Sequence, residues 1–179
     1  MGPADIVAQL LAIDAKTVLI DGRSGSGKTT LAGEVARQWD GSILIHLDDI
    51  YPGWDGLQAA AAHIHRALLA PRQAGCAGRW RRWDWTTGTA AEWHTVEARQ
   101  RLVIEGAGAL TGPNRALADM GIWVDCPTPI RKRRALARDG AGYAEHWDRW
   151  AAQECEHIDH HHPRSLADFV VDETMPIRQ

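Results

Sequence analysis

Cysteine is scarce in this chain: Cys76, Cys126 and Cys155 are three in 179 residues, widely spaced and in no CxxC pair. An odd, scattered set argues against both a disulfide scaffold and a zinc site and fits a reducing cytoplasm. Positive charge is not in excess either, since 20 Lys and Arg face 23 Asp and Glu for a net charge of −3. No global field draws a polyanion, so nucleic acid is not an expected partner and any hold on phosphate must be local. Long apolar runs are missing. No window approaches the roughly 20 apolar residues of a membrane span. Residues Met1 to Ala15 carry Asp5, Gln9 and Asp14 and no basic lead, which does not read as a signal peptide. Phenylalanine and tyrosine are nearly absent, one and two against nine tryptophans. Trp is mostly core bulk, and packing is its expected use here.

What remains is an ordinary globular composition, 45% apolar and 24% charged, in a length that suits one domain over residues 1–179. Thr17-Val18-Leu19-Ile20-Asp21 is a β-branched run ending at a glycine-rich turn and predicts a buried strand. Leu31, Val35 and Trp39 then recur every fourth residue, the stripe of a helix lying on a sheet. A second strand is expected over Ser42 to Leu47, followed by a helix capped by Asp55 with Leu57, Ala61, Ile64 and Leu68 on one face. Residues 71–95 alternate Gly, Trp and Arg without a clear period and are read as an irregular, lid-like insertion in the substrate region. Strands are expected again at Arg101 to Glu105, Gly121 to Asp125 and Ala167 to Asp172. Helices are expected from Thr128-Pro129, over a lid of about 128–142, and from Ala141 to Ile158. Alternating elements with doubly buried strands predict an α/β fold, a five-stranded parallel sheet flanked by helices.

Gly22-Arg23-Ser24-Gly25-Ser26-Gly27-Lys28-Thr29 fits G-x-x-x-x-G-K-[ST] at every fixed position. Backbone N–H groups must curl around phosphate oxygens at distances that a Cβ obstructs, hence the glycines. Lys28 supplies charge, Thr29 a hydroxyl for Mg²⁺, and the helix start that includes Thr30 turns its positive end to the anion. Asp48-Asp49-Ile50-Tyr51 follows the second strand on the same sheet edge, where Asp48 suits a base facing an acceptor hydroxyl. A plain turn cap before Pro52-Gly53 is the competing reading of that pair. Glu105 ends another strand at that edge and suits Mg²⁺, or else is a solvated strand end. Arg131, Arg134 and Arg138 share one helical face and either meet a transferring phosphoryl group or form a surface patch. Arg79, Arg81 and Arg82 interleave with Trp80, Trp83 and Trp85, a pattern that serves base stacking or ordinary core and rim. His157, His160, His161 and His162 have no matching Cys or Glu constellation and read as a solvated tail.

With these residues in view the chain resembles the P-loop small-molecule kinases, and within them the uridine kinase and nicotinamide riboside kinase group. The likeness runs through the phosphate loop, His46 to Tyr51, Trp83-Asp84-Trp85, Val103-Ile104-Glu105-Gly106, and Val124-Asp125 with Arg131 to Asp139. The resemblance implies ATP and Mg²⁺ as cofactors and a nucleoside hydroxyl as phosphoryl acceptor. It implies Asp48 as base, Asp49, Tyr51, Arg82, Trp83 and Asp84 around the acceptor, Glu105 assisting magnesium, and the arginine helix as lid. The chain departs from the group in having Trp83 where Tyr is usual and no histidine within Thr86-Thr87-Gly88. The opening Ile20 to Gly25 is also similar to bacterial cytidylate kinases, which leaves a nucleoside monophosphate kinase as one alternative. A P-loop ATPase without a transfer acceptor is the other.

Overall fold

The computed structural model describes residues 2–172, with the side chains of 138–141 outside that description. In chain order come α1 (Pro3–Ala12), β1 (Thr17–Asp21), α2 (Lys28–Gln38), β2 (Ser42–His46) and a 3-10 turn over Leu47–Asp49. One long helix follows, α3 (Leu57–His63) running through a π-helical stretch, Ile64–Leu69, into α4 (Ala70–Gln73). Next are β3 (Gly78–Asp84), β4 (Thr89–Val96), β5 (Arg101–Glu105), α5 (Gly112–Arg115) and β6 (Met120–Asp125). The described chain closes with α6 (Thr128–Ala144), α7 (Trp147–His161), α8 (Pro163–Leu166) and β7 (Phe169–Asp172).

Five strands form one parallel sheet in the order β2-β5-β1-β6-β7, so the expected α/β architecture is present. Every residue of β1 is buried, because alternate side chains serve the two covered faces. Val18 and Ile20 join Ile6, Leu10, Leu31, Val35 and Trp39 under α1 and α2. Leu19 joins Ile45, Leu57, Ile64, Leu68 and Ile104 on the other face. The crossover leaving β1 runs to β2 on one side and the crossover leaving its neighbour β5 runs to β6 on the other, which opens a crevice at the C-terminal ends of these two strands.

Four local expectations are corrected. The segment 71–95 is not irregular: its core is an antiparallel hairpin of β3 and β4, with Arg81 paired to Trp93 and a register shift between Arg81 and Trp83. The N-cap before Leu57 is Gly56, while the Asp55 carboxylate is bound by Arg149 of α7. The helix expected from Ala141 is two helices, α6 extending to Ala144 and α7 starting at Trp147. The second strand ends at His46, and Asp48 and Asp49 sit in the 3-10 turn rather than on extended chain.

Candidate active site

The phosphate loop leaves β1 and closes on α2. Gly25 and Gly27 adopt φ of +77° and +101°, which L side chains resist, and Ser26 N donates to Arg23 O at 3.0 Å to tighten the turn. A Cβ on Gly22 would lie 2.6 Å from Val124 O and 2.7 Å from Ser26 Oγ, and one on Gly25 would collide with the Arg131 carbonyl. The loop is thus shaped by what surrounds it as well as by its own glycines. Gly25→Ala is expected to cost about 2–4 kcal/mol of folding stability, combining a left-handed conformation with overpacking. Urea denaturation measures this, and an unchanged midpoint counts against the described loop geometry. Lys28 opens α2 and is only 8% exposed, Thr29 is half-buried, Thr30 is exposed, and the buried Ser26 Oγ has no hydrogen-bond partner.

Parallel register brings the polar strand ends together, pairing Glu105 with Ile20 of β1 and with His46 of β2. Thr29 Oγ1 donates to Glu105 Oε1 at 3.1 Å, and His46 Nδ1 lies 2.6 Å from the same oxygen. Burial works against the charged Glu105, but the His46 hydrogen bond and the charge of Lys28 outweigh it and hold the carboxyl below its usual range. The hydrogen bond to Glu105, opposed by partial burial, holds the His46 imidazole above its usual value. Glu105 Oε2 is buried without a partner. Asp48 and Asp49 are exposed at the mouth of this edge. Tyr51 lies beneath them, 2% exposed, donating to Ala107 O at 2.8 Å and set edge-on to Trp150 at 4.7 Å between centroids.

Two residues outside the motif brace the loop from α7. Glu154 Oε1 accepts from Ser24 N at 2.6 Å while its Oε2 takes Arg23 Nε at 2.9 Å. Asp21, 1% exposed, accepts from Gly22 N at 2.6 Å, from Gly108 N at 3.2 Å, from Leu110 N at 2.8 Å and from His157 Nε2 at 2.9 Å. His157 is therefore buried at the heart of the fold, which corrects its reading as part of a solvated tail. Among the described residues no cluster of His, Cys, Asp or Glu is arranged to hold a metal by itself. The signal for Glu154 and His157 is in the sequence after all: with Trp147 and Trp150 they form the buried face of α7, two ionisable residues on an apolar stripe.

Burial separates the surroundings of Arg131 and Arg134 on α6. Arg131 is 2% exposed, with Nη1 donating to Ser24 O at 3.0 Å and Nη2 to Thr128 Oγ1 at 3.1 Å. Arg134 is exposed and reaches Cys126 Sγ at 3.8 Å, while the side chain of Arg138 lies outside the described residues. Arg131→Ala is expected to cost about 3 kcal/mol, because it unpairs buried polar groups behind the loop. Arg134→Ala should leave stability within about 0.5 kcal/mol, as surface substitutions do. Thermal melts of both variants separate the two, and equal losses would contradict this difference in burial.

The hairpin lies against the Asp48 turn, with Trp85 Nε1 donating to Asp48 O at 2.8 Å. Trp85 meets Trp54 at 5.1 Å, and Trp54 stacks on His146 at 4.3 Å, an aromatic wall beside the acidic turn. Trp83 lines a cavity of about 310 Å³ with Ile50, Pro52 and Trp93. Asp84 Oδ1 accepts from Thr86 N at 2.9 Å and Thr87 N at 3.3 Å, which lowers its pKa and closes the hairpin turn. Arg82 is bound by Glu92 at 2.6 Å, Arg81 donates to Ala91 O at 2.8 Å, and Arg79 lies over Trp93 at 4.5 Å.

Comparison by sequence with family models and with curated proteins gives no match. Among solved structures, the chain is similar to a possible uridine kinase from Bacillus stearothermophilus at 22% identity and a TM-score of 0.69, covering 95% of this chain and 97% of that one. It is also similar to a protein from Silicibacter sp. TM1040 solved under the name fructose transport system kinase, at 16% identity and a TM-score of 0.58 over 95% and 98% of the two chains. The fold is that of the P-loop kinases. In this P-loop kinase fold the glycine-rich loop, the acidic turn and Glu105 share one edge of the sheet. Among the described residues no helix is long and apolar enough to cross a membrane.

Proposed function

We propose that the chain is an ATP-dependent phosphotransferase that moves the γ-phosphoryl group to a hydroxyl of a nucleoside. The observation that carries this reading is the convergence at one sheet edge, where Glu105 lies within hydrogen-bond reach of Thr29 and Asp48 stands exposed at the mouth. Gly22, Ser24, Gly25, Ser26, Gly27, Lys28, Thr29 and Thr30 form the proposed ATP cradle. Its fit is supported by the partnerless Ser26 Oγ and by backbone that a Cβ would obstruct. Thr29 and Glu105 offer hard oxygen donors that suit Mg²⁺, and the buried, partnerless Glu105 Oε2 is a further support. Magnesium, when bound, neutralises charge on the phosphates. Asp48 is the proposed base for the acceptor hydroxyl, with Asp49, Tyr51, Arg82, Trp83 and Asp84 around the acceptor. The wall of Trp54 and Trp85 beside Asp48 favours a flat ring over a simple sugar. Arg131, Arg134 and Arg138 complete the proposed lid, Arg131 by fixing the loop and Arg134 by facing the transferring charge.

Arg79 over Trp93 and Arg81 on Ala91 O are engaged within the hairpin and poorly placed to bind an acceptor phosphate, which weighs against a nucleoside monophosphate kinase. Incubation with radiolabelled ATP and separate panels of nucleosides, nucleotides and sugars tests the proposal. Label is expected in a nucleoside product. Label in a nucleotide or sugar instead, or release of phosphate alone, would refute it.

A further inference from the structure

Behind the phosphate loop a groove of about 1030 Å³ runs between the long helix, α5 and α7. Ligand pockets span roughly 300–1,000 Å³, so it is large enough for a metabolite. None of Lys28, Asp48 and Glu105 lines it. Its floor is buried and carries no carboxylate or guanidinium: Leu57, Ala61, Asn114 and His157 are 3%, 5%, 0% and 6% exposed. Its charged groups, among them Arg66, Glu156 and Asp159, are exposed on the rim.

Three polar atoms of the lining are buried without a partner: Asn114 Oδ1, His157 Nδ1 and His65 Nδ1. Buried polar groups are nearly always paired, so three around one cavity need a common explanation. Asn114 gives its amide hydrogens to Ala61 O at 3.3 Å and Ala109 O at 3.2 Å, which leaves the side-chain oxygen over. His157 turns Nε2 to Asp21 Oδ2 at 2.9 Å, which leaves Nδ1 over. His65 and Arg66 stand on the π-helical stretch Ile64–Leu69, an irregularity frequent at functional sites.

We propose that this groove is a second small-molecule site, taking an uncharged, hydroxyl-rich ligand of pentose or nucleoside size. Asn114 Oδ1 can only accept, so the ligand must donate to it. Hydroxyls donate without bringing a charge onto a floor that has no counter-charge. A cation finds no carboxylate there, because Asp21 already accepts from three backbone amides and His157. His161, 5.3 Å from His157, adds an imidazole whose pKa is lowered, by burial first and then by His157 and His160. Through His157 and Asp21 the groove touches the amide of Gly22, the first residue of the phosphate loop.

The test uses the full chain with ¹⁵N-labelled histidine, titrated with D-ribose and, separately, with uridine, following the His157 ring signals. A saturable shift with either compound is expected, and the two arms tell whether a pentose suffices or a base is needed. Ala62→Trp, which fills the groove wall away from Asp48 and the loop, is expected to weaken that affinity about tenfold or more. Gln58→Trp on the exposed rim does the same should Ala62→Trp fail to fold. The proposal is overturned if neither compound saturates by about 50 mM, weaker than an ordered site of this size should bind. It is also overturned if the shift persists unchanged in the filled variants, which would place the compounds elsewhere.

Discussion

Lys28→Ala is expected to abolish ATP-dependent phosphoryl transfer while the protein stays folded. The ammonium stands at the first residue of α2, the positive end of that helix, so an anion there is held by charge and by the helix dipole together. Losing one preorganised stabiliser of transition-state charge costs about 10²–10³ in turnover. Lys28 also lowers the pKa of Glu105, after the His46 hydrogen bond, so part of the loss should appear as weaker magnesium-dependent ATP binding. Removing the side chain deletes no packing from either face of the sheet, neither of which includes Lys28. Turnover with radiolabelled ATP beside a thermal melt checks both halves. Near-normal turnover, or a chain that no longer melts cooperatively, would sink the assignment.

For Asp48→Asn the expected result is a fall in transfer of about 10²–10⁴, the usual worth of a general base, with little change in ATP affinity. Asparagine keeps the size and loses only the proton acceptor. Asp49→Asn is the internal control, because successive side chains in a 3-10 turn point about 120° apart and the two carboxylates cannot face one acceptor alike. Should Asp49→Asn be the crippled variant, the base is misassigned. Should Asp48→Asn lose magnesium-dependent ATP binding together with transfer, the carboxylate belongs to the metal and Glu105 becomes the candidate base.

The sheet, the phosphate loop and the acidic strand ends were legible in the sequence because their causes are local. Glycine spacing follows from backbone approaching phosphate, and an apolar run ending in Asp21 or Glu105 marks a buried strand reaching a polar edge. The hairpin was hidden because Gly78-Arg79-Trp80-Arg81-Arg82-Trp83-Asp84 has neither β-branched residues nor apolar alternation. Its pairing rests on cross-strand contacts such as Arg79 on Trp93 and Trp80 on His94, which only the register brings together. His46 was missed because its partner comes from the neighbouring strand, and Arg131 was named without its burial because helical phase shows a shared face but not how deep each residue lies.

The bracing of the phosphate loop by α7 has a consequence for synthesis on the ribosome. Glu154 stands 130 positions after Ser24, and His157 stands 136 after Asp21. The glycine-rich segment is made early, yet the carboxylate and imidazole that fix its amides emerge long afterwards. A nascent chain ending before Trp147 carries the whole motif without the contacts that shape it. On the proposed function, competence to hold a nucleotide arises late in translation, once α7 has folded against the loop.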